Sequence, residues 1–224
     1  MRSLDVSDAL WARATKIIPC GTQTLSKAPS QFVNGVYPKY LARGRGCRVT
    51  DVDGHEYIDY PMALGAVLLG HAYPKVADAV ARQAREGTLF TLMHPLEVEV
   101  AERLCDLVPC AEMARFMKNG SDATAAAVRV ARAYTGRERV AYCGYHGWHD
   151  WFAGTTPRPA GVPAAMAALC RPFTYNRLDT LAALLDEHPR EYAAVILEHG
   201  GEEPTDDFLA RVRDLAHRHG AVFI

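Results

Sequence analysis

Asn119, Gly120, Ser121 and Asp122 stand between a short apolar run and an alanine-rich segment. The string suits an anion: a glycine that lets backbone come close, a hydroxyl, and a helix start with free N–H groups and the positive end of the helix dipole. A phosphate group is the ligand such a turn fits, although the same four residue types also cap helices that bind nothing. Two further clusters follow apolar runs in the same way. Gly144-Tyr-His-Gly-Trp-His149 comes after Val140-Ala-Tyr-Cys143, and Glu198-His-Gly-Gly201 comes after Ala193-Ala-Val-Ile-Leu197. Together they offer an anion cradle, an aromatic plate at Tyr145 and a carboxylate at Glu198. Taken singly, Tyr145 and Trp148 also read as packing and Glu198 as a solvated acid; the shared placement after apolar runs favours a site.

The elements that must position these residues repeat. Apolar runs at 115–117, 140–143, 193–197 and 221–224 alternate with helical patterns near 122–135, 178–188 and 206–219, which predicts an α/β domain with a mainly parallel sheet. Ligands of such sheets bind beyond the carboxyl ends of the strands, where the three clusters fall. Upstream, residues 8–18 read as a short amphipathic helix stopped by Pro19 and Gly21, followed by a polar arm. Residues 48–59 alternate around Asp53-Gly54 as a hairpin, and helical periodicity returns at 76–85 and 97–108. The expected organisation is a helix and arm over 1–39, a small β element over 40–72, and a partial α/β domain over 73–224.

Composition narrows the class. With 25 basic and 26 acidic side chains and a formal net charge of -1, no run of one sign suggests nucleic acid or an anionic membrane as partner. No apolar stretch approaches the length needed to cross a bilayer, and the N-terminus lacks a signal-peptide core, so a cytoplasmic location is expected. Cys20, Cys47, Cys105, Cys110, Cys143 and Cys170 form no pair motif and read as free thiols. His146 and His149 have a spacing a metal could use, but no third ligand is evident and no metal site is expected. Asp51-Val-Asp-Gly54 lacks the remaining positions of a calcium loop and reads as the hairpin turn. A nucleophile elbow and a P-loop lysine motif are both missing.

Six segments carry a resemblance through their order and spacing: Asp51–Tyr60, Leu69-Gly-His-Ala-Tyr-Pro74, Leu96–Ala101, Asn119-Gly-Ser-Asp-Ala123, Ala131–Arg137 and Tyr145-His-Gly147. With them the chain resembles the N-terminal half of class III pyridoxal-phosphate aminotransferases, in the subgroup similar to glutamate-1-semialdehyde 2,1-aminomutase. The resemblance implies a fold type I PLP-dependent transferase: an incomplete, mainly parallel α/β large domain with an N-terminal arm and small β element. It implies pyridoxal 5′-phosphate as cofactor. Asn119, Gly120 and Ser121 fall where the family holds the cofactor phosphate, Tyr145 where an aromatic residue stacks on the ring, His146 within the same turn, and Glu198 where an acid lies near the ring.

The resemblance also implies amino transfer between a small-molecule amino donor and a carbonyl acceptor, sugar or amino-acid-derived, and a homodimer in the intact form. Met62-Ala-Leu-Gly65 departs from the aminomutase's substrate segment and Glu198-His199 from the usual Glu-Pro, so an aminotransferase is favoured over the aminomutase. The family's ring-nitrogen aspartate and Schiff-base lysine would lie after Ile224. The last lysine here is Lys118, so no catalytic residue is expected within the chain, and the 224 residues alone are expected not to turn over. The rival expectation is a non-catalytic split subunit or relic that binds phosphorylated ligands.

Overall fold

Helix α1 (Asp5–Ile17) has Leu4 at its N-cap, whose side chain caps nothing, and the Ser3 hydroxyl accepts only from the Asp5 N–H at 3.3 Å. The next N–H groups of the helix are met from a distance by Asp53, whose Oδ1 accepts from Val6 at 2.8 Å and Oδ2 from Ser7 at 3.0 Å. A carboxylate there satisfies donors the helix cannot pair and complements its dipole. Asp53 sits in the turn between β2 (Arg48–Asp51) and β3 (Glu56–Ile58), which with β1 (Leu41–Arg45) form an antiparallel sheet of order β1-β2-β3. The structure is a computed structural model that describes residues 2–224, and it divides into two units, Met1–Pro95 and Leu96–Ile224.

Buried Asp51 explains why the 51–54 string needs no ion. Its Oδ1 accepts from the N–H groups of Asp53 and His55 at 3.0 and 2.8 Å. Its Oδ2 meets His55 Nδ1 at 3.1 Å and accepts from the Tyr57 hydroxyl at 2.8 Å. The rest of the first unit holds α2 (Pro74–Glu86), with proline in its first turn, where a missing N–H costs nothing. Between them Met62, Ala63 and Leu64 all take left-handed backbone angles, φ 48, 50 and 58°, a strained run for residues with a Cβ.

The second unit is three layers deep. After α3 (Pro95–Leu107) come α4 (Gly120–Thr135), β4 (Arg139–Cys143), two short helices α5 (Asp150–Ala153) and α6 (Ala164–Ala168), and β5 (Cys170–Pro172). They are followed by α7 (Leu178–Glu187), β6 (Tyr192–Leu197), α8 (Phe208–Arg218) and β7 (Val222–Phe223). The sheet order is β5-β4-β6-β7 and every pairing is parallel. Side chains alternate across the strands, so each face gets its own core. Ala141, Cys143 and Val195 pack with Leu181, Leu185, Val212 and Leu215 of α7 and α8. Val140, Ala194 and Ile196 pack with Val128 and Ala131 of α4 and with Trp151 and Phe152 of α5. Burial on both faces is why β4 and β6 read as continuous apolar runs. Arg137 ties the layers, its Nη1 donating to the carbonyls of Tyr192, His219 and Gly220 at 3.1, 2.8 and 2.9 Å.

One expected strand is absent. Arg115-Phe-Met117 forms no ladder. It borders an apolar groove of about 520 Å³ whose other walls include Ala127, Val130 and Tyr134 of α4 and Val222 and Ile224 at β7. A strand exists only by pairing, and among the described residues this run joins neither sheet. Conversely, β5 was not expected. Its three residues include Arg171 and Pro172, too short and too polar to stand out as a run.

Candidate functional site

Helix α4 starts where β4 and β6 end, and its first turn is built by Asn119. The Asn119 Oδ1 accepts from the Asp122 N–H at 3.0 Å, while Asn119 Nδ2 donates to Asp122 Oδ2 at 2.7 Å. This reciprocal cap uses up both ends of the Asn119 amide. It leaves the N–H groups of Gly120 and Ser121 without a partner among the described residues. A Cβ built on Gly120 would meet nothing within 4 Å, so open space lies above the turn. Ser121 Oγ accepts from the Trp148 N–H at 3.3 Å, which leaves the hydroxyl proton for another acceptor. Two free N–H groups, a free O–H and a helix dipole fit the phosphate of a cofactor such as pyridoxal phosphate.

The loop after β4 lies directly on this turn. Thr124 Oγ1 donates to the His146 carbonyl at 2.7 Å, and the loop's contact with Ser121 is so close that a Cβ on Gly147 would overlap Ser121 Oγ. Gly147 also has φ 103°, so glycine is required there twice over. Gly144, at φ 91°, stands where a Cβ would lie 2.5 Å from that of Glu198. The structure therefore brings Asn119, Gly120, Ser121, Tyr145, His146 and Glu198 into one neighbourhood at the carboxyl end of the parallel sheet.

Their individual placements differ. The Tyr145 ring is exposed, 65% accessible, and stands edge-on to Phe152 with centroids 5.5 Å apart. Glu198, just past β6, accepts from the Tyr145 N–H through Oε2 at 2.8 Å, so it braces the loop that carries the aromatic ring. His146 turns the other way. It is buried, stacks on Trp151 with centroids 5.8 Å apart, and places Nε2 2.9 Å from the Cys143 carbonyl. Burial pushes its pKa below the usual imidazole value against the opposing pull of that carbonyl and of Glu198. Its ring holds the turn from the core side.

His149 does not join His146 as a ligand pair. Its Nε2 lies 2.9 Å from Asp122 Oδ1, across the loop from α4. This pair, Thr124 and the close approach at Gly147 are the contributors that spacing alone did not indicate. The visible signal was Asp122 at the third position of a capping box; its partner in the 144–149 loop depends on how the sheet places that loop.

Comparison with known proteins matches the pattern described as "Aminotransferase class-III" to residues 33–224. Two relatives cover 97% of this chain. They are a 3-aminobutyryl-CoA aminotransferase of Cloacimonas acidaminovorans, 37% identical over 226 residues, and a glutamate-1-semialdehyde 2,1-aminomutase of Chloroflexus aurantiacus, 40% identical over 234 residues. The chain spans about half the length of each, 54% and 52%. Among solved structures, the PLP internal aldimine form of the FumI protein of Sphingopyxis sp. MTA144 superposes with a TM-score of 0.88 at 30% identity. The match covers 97% of this chain and 53% of that one. On the family match, which runs through both the capped turn of α4 and the 144–149 loop, the chain belongs to the class-III aminotransferases.

Proposed function

We propose that this chain is the part of a PLP-dependent aminotransferase that seats the cofactor's phosphate and ring. The single observation that carries the reading is the first turn of α4: the unpaired N–H groups of Gly120 and Ser121, with the Ser121 hydroxyl proton free, beside an exposed aromatic ring on a braced loop. When bound, pyridoxal phosphate supplies a carbonyl that takes up and returns an amino group and a ring that stabilises negative charge. The chain's own residues do the holding. Gly120 and Ser121 bind the phosphate, Tyr145 presents a face to the ring, Glu198 fixes Tyr145 through its backbone N–H, and His146 anchors the turn into the core.

The whole protein on this reading moves an amino group between a small-molecule amino donor and a carbonyl acceptor, in the cytoplasm. Association into a homodimer is supported by large apolar side chains left in solvent, among them Leu89, Leu92 and Met93 in the first unit and Met113 in the second. An aminomutase reaction is the second reading, favoured by the similarity to the Chloroflexus protein and opposed by Met62-Ala-Leu-Gly65.

Pyridoxamine 5′-phosphate and pyridoxamine, which lack the aldehyde and so do not label stray lysines, test the cradle through quenching of tryptophan emission. The phosphorylated compound is expected to bind and pyridoxamine to bind far more weakly. Ser121→Ala is expected to weaken the former by about tenfold, the loss of one hydrogen bond to a charged group. Equal affinity for the two compounds, or none for either, contradicts the proposal.

A further inference from the structure

We infer that His149 is a positioning residue that holds the Asp122 carboxylate away from the phosphate cradle. The inference rests on the cofactor-phosphate reading of α4. Asp122 poses a problem that Gly120 and Ser121 do not. A carboxylate in the first turn suits an empty helix terminus, because the dipole is positive there. Beside a bound phosphate it is a like charge within a few ångströms, and it opposes the ligand.

Both of its oxygens are occupied in a way that answers this. Oδ2 takes the Asn119 amide at 2.7 Å and Oδ1 takes His149 Nε2 at 2.9 Å, so the carboxylate plane is held from two sides. The Asn119 bond is part of the helix cap and forms within one turn of chain. The His149 bond arrives from the 144–149 loop, 27 residues away, and brings the only one of the two partners that can carry positive charge. It is the third clasp between loop and helix, after His146 O with Thr124 Oγ1 and Trp148 N–H with Ser121 Oγ.

This contact adds little to folding stability. The two side chains remain 36% and 33% accessible, and ion pairs that share water contribute little to stability. The helix is already capped by Asn119, and the loop is already pinned by two bonds and by buried His146. What the pair does control is the charge facing the cradle.

The test is a double-mutant cycle of His149→Ala and Asp122→Asn on the full chain, with His149→Gln as the conservative variant. For each protein the dissociation constants for pyridoxamine 5′-phosphate and for pyridoxamine are measured alongside the urea midpoint. His149→Ala is expected to weaken binding of the phosphorylated compound by about tenfold, with the pyridoxamine affinity and the urea midpoint unchanged. The double variant is expected to return to within about threefold of the wild type, since no charge is left to hold aside. His149→Gln, which still donates to Asp122, is expected to stay near wild type. An unchanged affinity in His149→Ala, or a double variant no better than the single one, overturns the inference. If the unmodified chain itself binds the two compounds equally, the cofactor reading falls and takes this inference with it.

Discussion

Ser121 faces two ways, since its oxygen already receives the Trp148 N–H at 3.3 Å while its proton has no acceptor among the described residues. That division depends on Gly147, where any side chain would occupy the space of Ser121 Oγ and where the backbone angle excludes most L-residues. Gly147→Ala is therefore expected to displace Ser121 and the loop together. It should destabilise the protein by about 1–3 kcal/mol and weaken pyridoxamine 5′-phosphate by at least as much as Ser121→Ala does. Thermal melting and the fluorescence titration check this, and an alanine variant with unaltered melting and binding would refute the close approach. The capped turn itself was legible in the sequence, because Asn119, Gly120 and Ser121 lie within one helical turn and the bonds that shape it are local. Tyr145 and Glu198 were legible as strand-end residues. The bond between His149 and Asp122 was not, because it joins two segments whose meeting is decided by the register of β4 on its neighbours.

Strands β4 and β6 could be read because a strand buried on both faces has no polar positions to break the run. The same rule misled at 115–117, where an apolar run lies along a groove with no ladder partner, and it missed β5, whose Arg171 and Pro172 are exposed. Turns with buried polar centres leave a second kind of mark, visible in acid. His146 is held neutral by burial, with a folded pKa below its ordinary 6.5. The unfolded chain therefore takes up that proton first, and the stability from His146 is complete above about 6.5 and declines as pH falls below it. Asp51 behaves differently. Burial tends to raise its carboxyl, but the His55 N–H, the Tyr57 hydroxyl and the His55 ring together hold it below 3.8. Its contribution is complete above that value and is lost as pH falls through the lowered one. Urea midpoints measured against pH are expected to fall in two stages, and His146→Gln, which keeps a donor for the Cys143 carbonyl, should flatten the upper stage alone. An unchanged slope between pH 6.5 and 5 in that variant would show that the buried imidazole is not the cause.

At the scale of the whole molecule, each of the two units carries its own sheet, antiparallel in one and parallel in the other. The parallel sheet was readable from the alternation of runs and helices, and the antiparallel one from the Asp53-Gly54 turn. The capping of α1 by Asp53 was out of reach of sequence patterns, because it links positions 46 and 47 residues apart. The account's central claim is that the carboxyl end of the parallel sheet, at the first turn of α4, seats a phosphorylated pyridine cofactor. A crystal structure of the chain soaked with pyridoxamine 5′-phosphate tests it most directly. The account predicts phosphate oxygens within about 3 Å of the Gly120 and Ser121 N–H groups and of Ser121 Oγ, with the ring against Tyr145. A saturating ligand whose phosphate lies elsewhere, with only solvent at the start of α4, would contradict it.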